Sequence, residues 1–292
     1  LLEAYIVPTG SMEKTIMTGD FLFGSRFVYG LRTPNWIGIP YTDIGVFIPS
    51  IHFPRFKVPE IGDVLIFNYP RDKYVKYVKR CIAGPGDKLT IKNKQVYLND
   101  VLTDLPENYV FSQPEIPLSM QQKEIYLSSE KNINKDNMGP IKIPKKGDYF
   151  TIDKNTNWRE LLPIMLMEGH EAKLIQKDDF YEFTLQDPNE LWRRKEKSYV
   201  FEPYYGYGSG KLLTPWSRYI RDYHFQFLVI DGKPLSEWEG YEVKENYYWA
   251  MGDNRDDSLD SRYWGLIPES FILGEALFAY FSLDLKTWLP RL

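Results

Sequence analysis

Short runs of β-branched and aromatic residues recur along the chain between turn signals such as Gly62-Asp63 and Asp231-Gly232. Such residues pack well on a pleated, half-buried surface, so the pattern favours strands and a mainly β protein. The strands are expected at residues 20–27, 64–69, 74–82, 88–98, 149–152, 225–230, 247–251 and 271–282.

One helix is predicted from Trp158 to Glu168. Polar residues at positions 155–157 can cap its first turn. Apolar side chains then follow at helical spacing: Leu161, Leu162, Met165 and Leu166. Pro163 weakens the pattern, because proline has no amide hydrogen to donate inside a helix.

The middle of the chain, residues 91–239, is richer in lysine, asparagine and charged loops than its flanks. This difference predicts an accessory domain, of α+β or β type, inserted between two halves of one β domain. The two halves are residues 1–90 and 240–292.

Composition and charge exclude several classes of protein. The chain has 292 residues, 43% of them hydrophobic, so it can bury a sizeable core. Its formal net charge is −4, and no dense block of lysine and arginine could follow a phosphate backbone, so we expect no nucleic-acid partner. Cys81 is the only cysteine, which excludes an intrachain disulfide and a cysteine-based zinc cluster.

No window approaches the roughly 20 apolar residues that cross a bilayer. The sequence begins at Leu1 without an initiator methionine, and we expect that an upstream segment, an N-terminal transmembrane anchor, has been removed. The segment 36–58 is apolar and rich in proline. It is either a rim that contacts other molecules or a loop packed over its own core.

The first segment with possible chemistry is residues 7–12, Val-Pro-Thr-Gly-Ser-Met. A serine after glycine is usually only a turn residue. Here Pro8 and Gly10 can hold a tight turn that exposes the Ser11 hydroxyl. The Ser11 amide and the Thr9 hydroxyl would then point to a common position and form an oxyanion hole.

Lys79 lies in the second segment, within a predicted strand. A lysine in a strand is normally solvated, but alternation places Lys79 on one face with Val75, Tyr77 and Cys81. Burial there disfavours the ammonium form, and only a neutral lysine can act as a general base. Lowering its pKa from about 10.4 to about 8 requires roughly 3 kcal/mol.

The third segment, residues 251–265, is rich in aspartate and arginine. It fails as a calcium loop, because Ser261 and Ile267 occupy the positions where an EF-hand starting at Asp256 needs glycine and glutamate. We interpret it instead as an internally paired loop, with Asp260 and Arg262 as one pair, that fixes Ser258 near Lys79.

Other catalytic schemes have little local support. The three histidines, His52, His170 and His224, lie far apart in the sequence, so neither a Ser-His-Asp nor a Cys-His arrangement is indicated locally. Assembly from distant segments stays open. The chain has no phosphate-binding glycine loop and no dinucleotide fingerprint.

Taken together and in this order, the three segments resemble those of bacterial type I signal peptidases, also called leader peptidases. These are serine endopeptidases with a Ser-Lys dyad. Residues 252–265, Gly-Asp-Asn-Arg-Asp-x-Ser-x-Asp-Ser-Arg-Tyr-Trp-Gly, are the most specific part. The resemblance covers roughly residues 5–31, 61–88 and 247–282, and the insertion matches only in position. It implies a signal-peptidase-like fold for the β domain, with antiparallel sheets in a partly barrel-like arrangement.

The resemblance implies roles for individual residues. Ser11 would be the nucleophile and Lys79 the general base, with Thr9 and the Ser11 amide as oxyanion donors and Ser258 orienting the lysine. The supporting residues would be Tyr77, Asp260 and Arg262, and the walls of small substrate pockets would be Val7, Met12, Ile16 and Val78. Lys14 departs from the family, which usually has proline there, so the conformation of that turn is in question.

The function implied is removal of N-terminal signal peptides from exported preproteins, with cleavage after small residues of Ala-x-Ala type through an acyl-enzyme. No metal or organic cofactor is needed. The expected partners are signal peptides and the lipid bilayer surface, and the oligomeric state is open. The resemblance places the protein at the cell (inner) membrane, with its catalytic domain on the extracytoplasmic or periplasmic side.

Two alternatives stay open at this point. A self-cleaving repressor shares the resembling catalytic fold, but it needs a DNA-binding domain and an internal cleavage site, neither of which is evident. A non-catalytic peptide-binding or assembly protein could retain the scaffold. The presence of Ser11, Lys79 and Ser258 argues against that second alternative.

Overall fold

The structure is a computed structural model. It describes residues 2–25, 28–30, 36–38, 45–47, 56–104, 108–122, 125–127, 133–176, 179–185, 210–215 and 222–282. Among these residues, none of the helices combines the length and the apolar composition that crossing a bilayer requires.

The described residues form twenty strands and two α-helices, joined by turns and short 3₁₀ segments. The strands are β1 (Leu2–Ile6), β2 (Asp20–Ser25), β3 (Trp36–Gly38), β4 (Gly45–Phe47), β5 (Val64–Tyr69), β6 (Asp72–Ala83), β7 (Lys88–Lys92), β8 (Gln95–Leu98), β9 (Val101–Leu102), β10 (Met138–Lys142), β11 (Tyr149–Thr151), β12 (Ala172–Gln176), β13 (Asp179–Phe183), β14 (Gly210–Leu213), β15 (Leu228–Ile230), β16 (Lys233–Pro234), β17 (Gly240–Glu242), β18 (Tyr247–Met251), β19 (Ile267–Pro268) and β20 (Ile272–Ser282). The helices are α1 (Trp158–Met167) and α2 (Ser261–Trp264).

The largest sheet has seven antiparallel strands in the order β1-β2-β20-β5-β6-β18-β19. Its central strand β5 is buried on both faces. Val64 and Ile66 join one hydrophobic cluster, whereas Leu65 and Phe67 join another. This alternation follows from the two-residue period of a strand, so apolar material covers both faces of the sheet.

The remaining sheets lie mostly between β6 and β18 in the sequence. One has the order β10-β7-β8-β9 and another the order β14-β13-β12-β15-β16, and two further sheets are the pairs β11-β17 and β3-β4. Only β13 and β14 pair in parallel among the described strands. None of the described sheets closes into a barrel. The prediction of a mainly β fold with antiparallel sheets is confirmed.

A large buried cluster connects the middle of the chain with the seven-stranded sheet. Leu161, Leu162 and Met165 of α1 belong to the same cluster as Ile82 of β6 and Trp249 of β18. The two parts of the predicted division, residues 1–90 with 240–292 and the insertion at 91–239, therefore share one core across their boundary. The division itself stays a prediction.

The predicted elements agree best where the apolar pattern was strongest, and β5 and β18 have the expected bounds. The strand predicted at 88–98 is instead a hairpin, because Asn93 and Lys94 both have positive φ, 51° and 66°, as a tight type I′ turn requires. The strand predicted at 225–230 begins only at Leu228, after a 3₁₀ helix.

Helix α1 lies where it was predicted, and Asn157 caps it by accepting a hydrogen bond from the Arg159 amide. Pro163 is tolerated inside the helix. The interpretation of segment 36–58 falls mostly outside the described residues. Within it, the structure describes the paired strands β3 and β4 and the residues from 56 onward.

Candidate active site

Ser11 lies in a compact turn between β1 and β2, residues 7–19, which is called the nucleophile turn after the role predicted for Ser11. The base of this turn is closed by hydrogen bonds from the Val7 amide to the Asp20 carbonyl, 2.9 Å, and from the Gly19 amide to the Val7 carbonyl, 2.8 Å. The amide of Ile16 donates to the carbonyl of Met12 over 2.7 Å, and both of these side chains are buried in the core. This anchoring fixes the position of Ser11.

The structure brings Ser11 and Lys79 together. Nζ of Lys79 lies 2.6 Å from Oγ of Ser11 and also donates to the Val78 carbonyl over 2.9 Å. Lys79 lies opposite Leu65 in the β5–β6 ladder and is only 3% exposed. A neutral amine in this position could accept the proton of the serine hydroxyl.

Burial lowers the pKa of Lys79 to about 8, although the negative charges of Asp260 and Asp253 act in the opposite direction. The ring of Tyr77 lies beside the amine, with its centroid 5.2 Å from Nζ. Tyr77 itself packs with Tyr69 and Trp264, which helps to exclude water from this side of the lysine. A large fraction of Lys79 is therefore neutral near pH 8.

The expected oxyanion donors lie next to the Ser11 hydroxyl. Oγ1 of Thr9 and Oγ of Ser11 are 3.4 Å apart, within hydrogen-bond distance. Thr9 is exposed, and no described residue accepts a hydrogen bond from the Ser11 amide. Both donors are thus available to an incoming oxygen.

Asp253 links the nucleophile turn to strand β6. Its carboxylate is fully buried and forms a bidentate pair with Arg80, at 2.8 Å to Nε and 2.6 Å to Nη2. It also accepts a hydrogen bond of 2.5 Å from the Thr15 hydroxyl. Sequence reasoning missed Thr15, Arg80 and Asp253 as parts of the site. The position of Arg80 directly after Lys79 was the available signal.

Asp260 and Arg262 form the predicted ion pair, with 2.9 Å separating Arg262 Nε from Oδ1 and Nη2 from Oδ2. Both residues are buried, and the charge of Arg262 helps to hold the pKa of Asp260 below its usual range against the effect of burial. Asp260 also accepts the Gly252 amide at 3.1 Å. This pair orders the loop on the far side of Lys79.

Ser258 lies in that loop beside the nucleophile turn. A Cβ atom added at Gly252 would lie 2.3 Å from Ser258 Oγ and 2.4 Å from the Ser11 carbonyl oxygen, so glycine allows these groups to approach closely. Ser258 Oγ is buried and has no hydrogen-bond partner within 3.5 Å among the described residues. The structure therefore does not join Ser258 to the amine of Lys79, whose hydrogen-bond partners are Ser11 Oγ and the Val78 carbonyl.

The interpretation of residues 251–265 as an internally paired loop is wrong in part. Only Asp260 and Arg262 pair within the loop. Asp253 pairs with Arg80, and Asp256 pairs with Lys94 and Lys135. The guanidinium of Arg255 instead stacks on the Tyr109 ring, 4.0 Å from its centroid. Charges close in sequence lie on different sides of a loop, so their partners come from other elements.

Sequence reasoning also missed Asn254. Its amide donates to the Ser11 carbonyl over 3.1 Å, and its side chain donates to the Gly10 carbonyl and the Glu13 carboxylate, both over 3.2 Å. Asn254 therefore holds the turn that carries Ser11. Its place next to Asp253 in the matching segment was the only signal.

The four predicted pocket residues share one hydrophobic cluster. Val7, Met12 and Ile16 are buried, and Val78 packs against them half-buried. Two clefts, of about 730 and 460 Å³, lie elsewhere and are lined mainly by residues 152–159 with 223–236 and by residues 70–72 with 166–185. No group of three or more histidine, cysteine, aspartate or glutamate residues suited to a metal ion occurs among the described residues.

Lys14 has φ 72°, in the left-handed region. Proline is locked near −65° and could not occupy this backbone conformation. The departure from the family's proline therefore accompanies a turn that proline would not fit. The turn still places Ser11 against Lys79.

Comparisons with known proteins agree with the geometry. The family model for signal peptidase, peptidase S26, matches residues 1–158 and 207–281. The expectation that the insertion matches only in position is thus wrong, since the match includes much of it. A family of serine peptidases that remove signal peptides is indicated.

Curated relatives named signal peptidase I match nearly the whole chain. The protein of Buchnera aphidicola subsp. Schizaphis graminum is 25% identical over 286 residues, covering 98% of this chain and 70% of the relative. That of Helicobacter pylori is 25% identical over 291 residues, with 98% and 77% covered. That of Rickettsia typhi is 26% identical over 292 residues, with 99% and 75% covered. The chain therefore belongs to the signal peptidase family, peptidase S26.

Proposed function

We propose that the protein cleaves signal peptides with Ser11 as the nucleophile and Lys79 as the general base. The observation that carries this proposal is the 2.6 Å separation of Lys79 Nζ and Ser11 Oγ, with the amine buried. A pKa of about 8 makes Lys79 a usable base near neutral pH. The acidic loop, residues 251–265, holds the site together, whereas the two reacting groups are the Ser11 hydroxyl and the Lys79 amine.

The reaction follows the Ser-Lys scheme. Neutral Lys79 takes the hydroxyl proton while Ser11 Oγ attacks the carbonyl carbon of the scissile bond. The Ser11 amide and the Thr9 hydroxyl donate to the oxyanion that forms. The protonated lysine then gives its proton to the leaving amine, and an acyl-enzyme remains. Lys79 next deprotonates a water molecule, which hydrolyses the ester and frees Ser11.

Several residues hold these groups in place. Ser258, whose buried hydroxyl has no hydrogen-bond partner within 3.5 Å among the described residues, is proposed to bind the amine of Lys79 during the reaction and so orient it. Tyr77 is proposed to shield the amine from water. Asp260 and Arg262 hold the loop that carries Ser258, since their pair is buried and hydrogen-bonded to the Gly252 amide. These residues affect the position and surroundings of Lys79, but they take no part in the bonds that form and break.

The substrate is proposed to bind as an extended segment with small residues before the cleaved bond, of Ala-x-Ala type. Val7 and Val78 would line the pockets for those residues, with Met12 and Ile16 behind them. The four side chains belong to one tightly packed cluster, which leaves little depth for a large side chain. This supports selection of alanine-sized residues.

Members of this family are membrane-associated, with an extracytoplasmic catalytic domain. We propose that this chain contacts the lipid surface through aromatic residues of β2 and β20. Phe278, Tyr280 and Phe281 are 40%, 41% and 51% exposed, and their rings contact Phe21 and Phe23. Aromatic rings favour the interface between lipid and water, so this patch suits a membrane surface.

The test uses a labelled preprotein with purified variants. Ser11→Ala and Lys79→Ala should each abolish cleavage while circular dichroism shows an intact fold. Ser236→Ala changes an exposed residue and Lys88→Ala a side chain that is 44% exposed, both away from the site, and both variants should cleave at the normal rate. Substantial cleavage by either dyad variant would refute the mechanism, and binding without cleavage by the unmodified chain would identify a non-catalytic peptide binder.

A further inference from the structure

Asp256 is a buried carboxylate that the proposed reaction does not use. Its side chain is 1% exposed. Oδ2 accepts hydrogen bonds of 2.8 Å from the amides of both Ser112 and Gln113. Oδ1 accepts from the amines of Lys94 at 2.9 Å and Lys135 at 3.0 Å. All four donors belong to the predicted insertion, residues 91–239.

The backbone beside Asp256 makes further contacts with the same part of the insertion. The Val110 amide donates to the Asp253 carbonyl, and the Arg255 amide donates to the Val110 carbonyl, both over 3.0 Å. Val110 thereby forms a parallel bridge with Asn254. The Arg255 guanidinium covers the Tyr109 ring. Segment 109–113 thus lies along the loop like an added strand.

The opposite side of this loop contacts the reacting groups. The Asn254 amide and side chain donate to the carbonyls of Ser11 and Gly10. Gly252 packs directly between Ser258 and the Ser11 carbonyl. Residues 252–258 therefore form a layer between the insertion and the nucleophile turn, and a displacement on one side reaches the other.

The buried charges make the contact between the insertion and residues 252–258 rigid. The hydrogen bonds from Gln113, Lys94 and Lys135 hold the pKa of Asp256 at about 2, so the carboxylate is charged at every pH at which the enzyme would work. The side chains of Lys94 and Lys135 are 10% and 5% exposed. Both amines also donate to Gln113, Lys94 to its backbone carbonyl over 2.7 Å and Lys135 to its side-chain oxygen over 3.2 Å, but among these close partners Asp256 carries the negative charge. Removing one member of such a buried cluster leaves uncompensated charge, which is strongly unfavourable.

From these contacts we infer that Asp256 is a positioning residue, through which Lys94 and Lys135 of the insertion hold residues 252–258 against Ser11 and Lys79. This inference rests on the proposed Ser11–Lys79 mechanism and assigns a task to the insertion. Catalytic groups lose about a hundredfold in rate when displaced by about 1 Å, so a loosened loop would reduce turnover without removing a reacting group.

The experiment compares Asp256→Asn with Asp256→Glu, using a peptide substrate and separate determination of kcat and KM. Asp256→Asn keeps the shape but removes the charge and turns one oxygen into a donor facing the lysines. We expect kcat to fall about 10- to 100-fold with KM changed less than about threefold. Asp256→Glu restores the charge and should recover part of kcat.

Asp148→Asn is the matched control. Asp148 also pairs with a lysine, Lys142 at 2.9 Å, and accepts a backbone amide, that of Lys145, but it makes no described contact with residues 252–258. Its variant should retain the normal kcat. Any loss of stability common to both variants is measured by thermal unfolding and separated from kcat by assaying below both transitions.

The pH profile distinguishes positioning from a direct charge effect. Losing a negative charge would by itself lower the pKa of Lys79, whereas a loosened loop admits water and raises that pKa above about 8. We expect the rising limb of kcat/KM to move to higher pH in Asp256→Asn. The other groups facing Lys79, namely Ser11, Tyr77, Asp253 and Asp260, are unchanged in this variant.

A folded Asp256→Asn enzyme with normal kcat and an unshifted pH profile would overturn the inference. If that variant does not fold, Lys94→Met and Lys135→Met each remove one donor, and normal kcat in both would also overturn it. The proposed mechanism is tested separately. An active Lys79→Ala enzyme refutes the mechanism, whereas an inactive Lys79→Ala with a normal Asp256→Asn refutes only the positioning role.

Discussion

Lys79 and Arg80 are consecutive residues of β6, but among the described residues only Arg80 has a carboxylate within ion-pair distance. Arg80 holds Asp253 in a bidentate pair, whereas the amine of Lys79 contacts the Ser11 hydroxyl and the Val78 carbonyl. Successive residues of a strand point to opposite faces, so one cation is neutralised and its neighbour is left without a counter-ion. This difference favours a neutral amine at Lys79, as its proposed role as the general base requires.

The first prediction concerns the pH dependence of cleavage. The general base must be neutral, and burial lowers the pKa of Lys79 to about 8. Activity should therefore rise with pH, from about a tenth of its maximum at pH 7 to about half at pH 8. Measurement of kcat/KM between about pH 6 and 9.5 checks this. A profile that is flat through pH 8 would contradict the assignment of Lys79.

The second prediction concerns stability. The pKa of Lys79 is lower in the folded than in the unfolded chain, so the charged amine destabilises the fold at every pH below about 8. The penalty is relieved as the pH rises from about 8 to 10.5. Lys79→Met should consequently stabilise the protein at pH 7 by up to about 3 kcal/mol, measured by urea unfolding.

The control for this stability measurement is Lys88→Met. The Lys88 side chain is 44% exposed and pairs with Asp100 at the surface, so its replacement should change the free energy of unfolding little. The difference between Lys79→Met and the unmodified protein should also shrink as the pH approaches about 10. A Lys79→Met protein less stable than the original at pH 7 would show that the amine is not penalised by burial.

The third prediction tests Thr9 as an oxyanion donor. Its Oγ1 lies 3.4 Å from Ser11 Oγ. Thr9→Val keeps the shape but removes the hydroxyl, and it should lower kcat about 10²–10³-fold. Thr9→Ser keeps a donor and should retain most of the activity. Normal turnover by Thr9→Val would remove Thr9 from this role and leave the Ser11 amide as the proposed donor.

The fourth prediction concerns Gly252. A methyl group there would lie 2.3 Å from Ser258 Oγ and 2.4 Å from the Ser11 carbonyl oxygen, closer than atoms can approach. Gly252→Ala should therefore move the loop away from the nucleophile and reduce kcat by at least about tenfold. Gly84→Ala is the control, since its added carbon would have no neighbour nearer than 3.9 Å. Equal activity of the two variants would contradict the close packing.

The fifth prediction concerns the backbone at Lys14. With φ 72°, glycine should be favoured there, and Lys14→Gly should stabilise the protein by up to about 1 kcal/mol. Lys14→Pro should destabilise it and reduce cleavage, because proline cannot adopt this φ. Lys14→Ala removes the amine but keeps a β-carbon, so it separates the effect of losing the amine from the effect of the backbone conformation. Thermal unfolding and cleavage rates of the three variants check this prediction. A stable and active Lys14→Pro protein would contradict the positive φ at residue 14.

Strongly patterned elements could be predicted from the sequence. Strand β5 is a continuous apolar run and β18 a run of aromatic and small residues, and both were expected with their observed bounds. Strands such as β10 and β14 were missed, because they are short and their residues become a strand only by pairing with a neighbour. The turn at Asn93-Lys94 was missed because neither residue is the usual glycine.

The sequence by itself determined which groups are proposed to react, since the residue types, their order and the resemblance to type I signal peptidases singled out Ser11, Lys79 and the acidic loop. The tertiary structure alone decided which charge meets which partner. Asp253 lies far in sequence from Arg80, and Asp256 lies far from Lys94, yet each pair is in contact. The physical reason is that pairing and desolvation depend on distances across the fold, which local patterns do not contain.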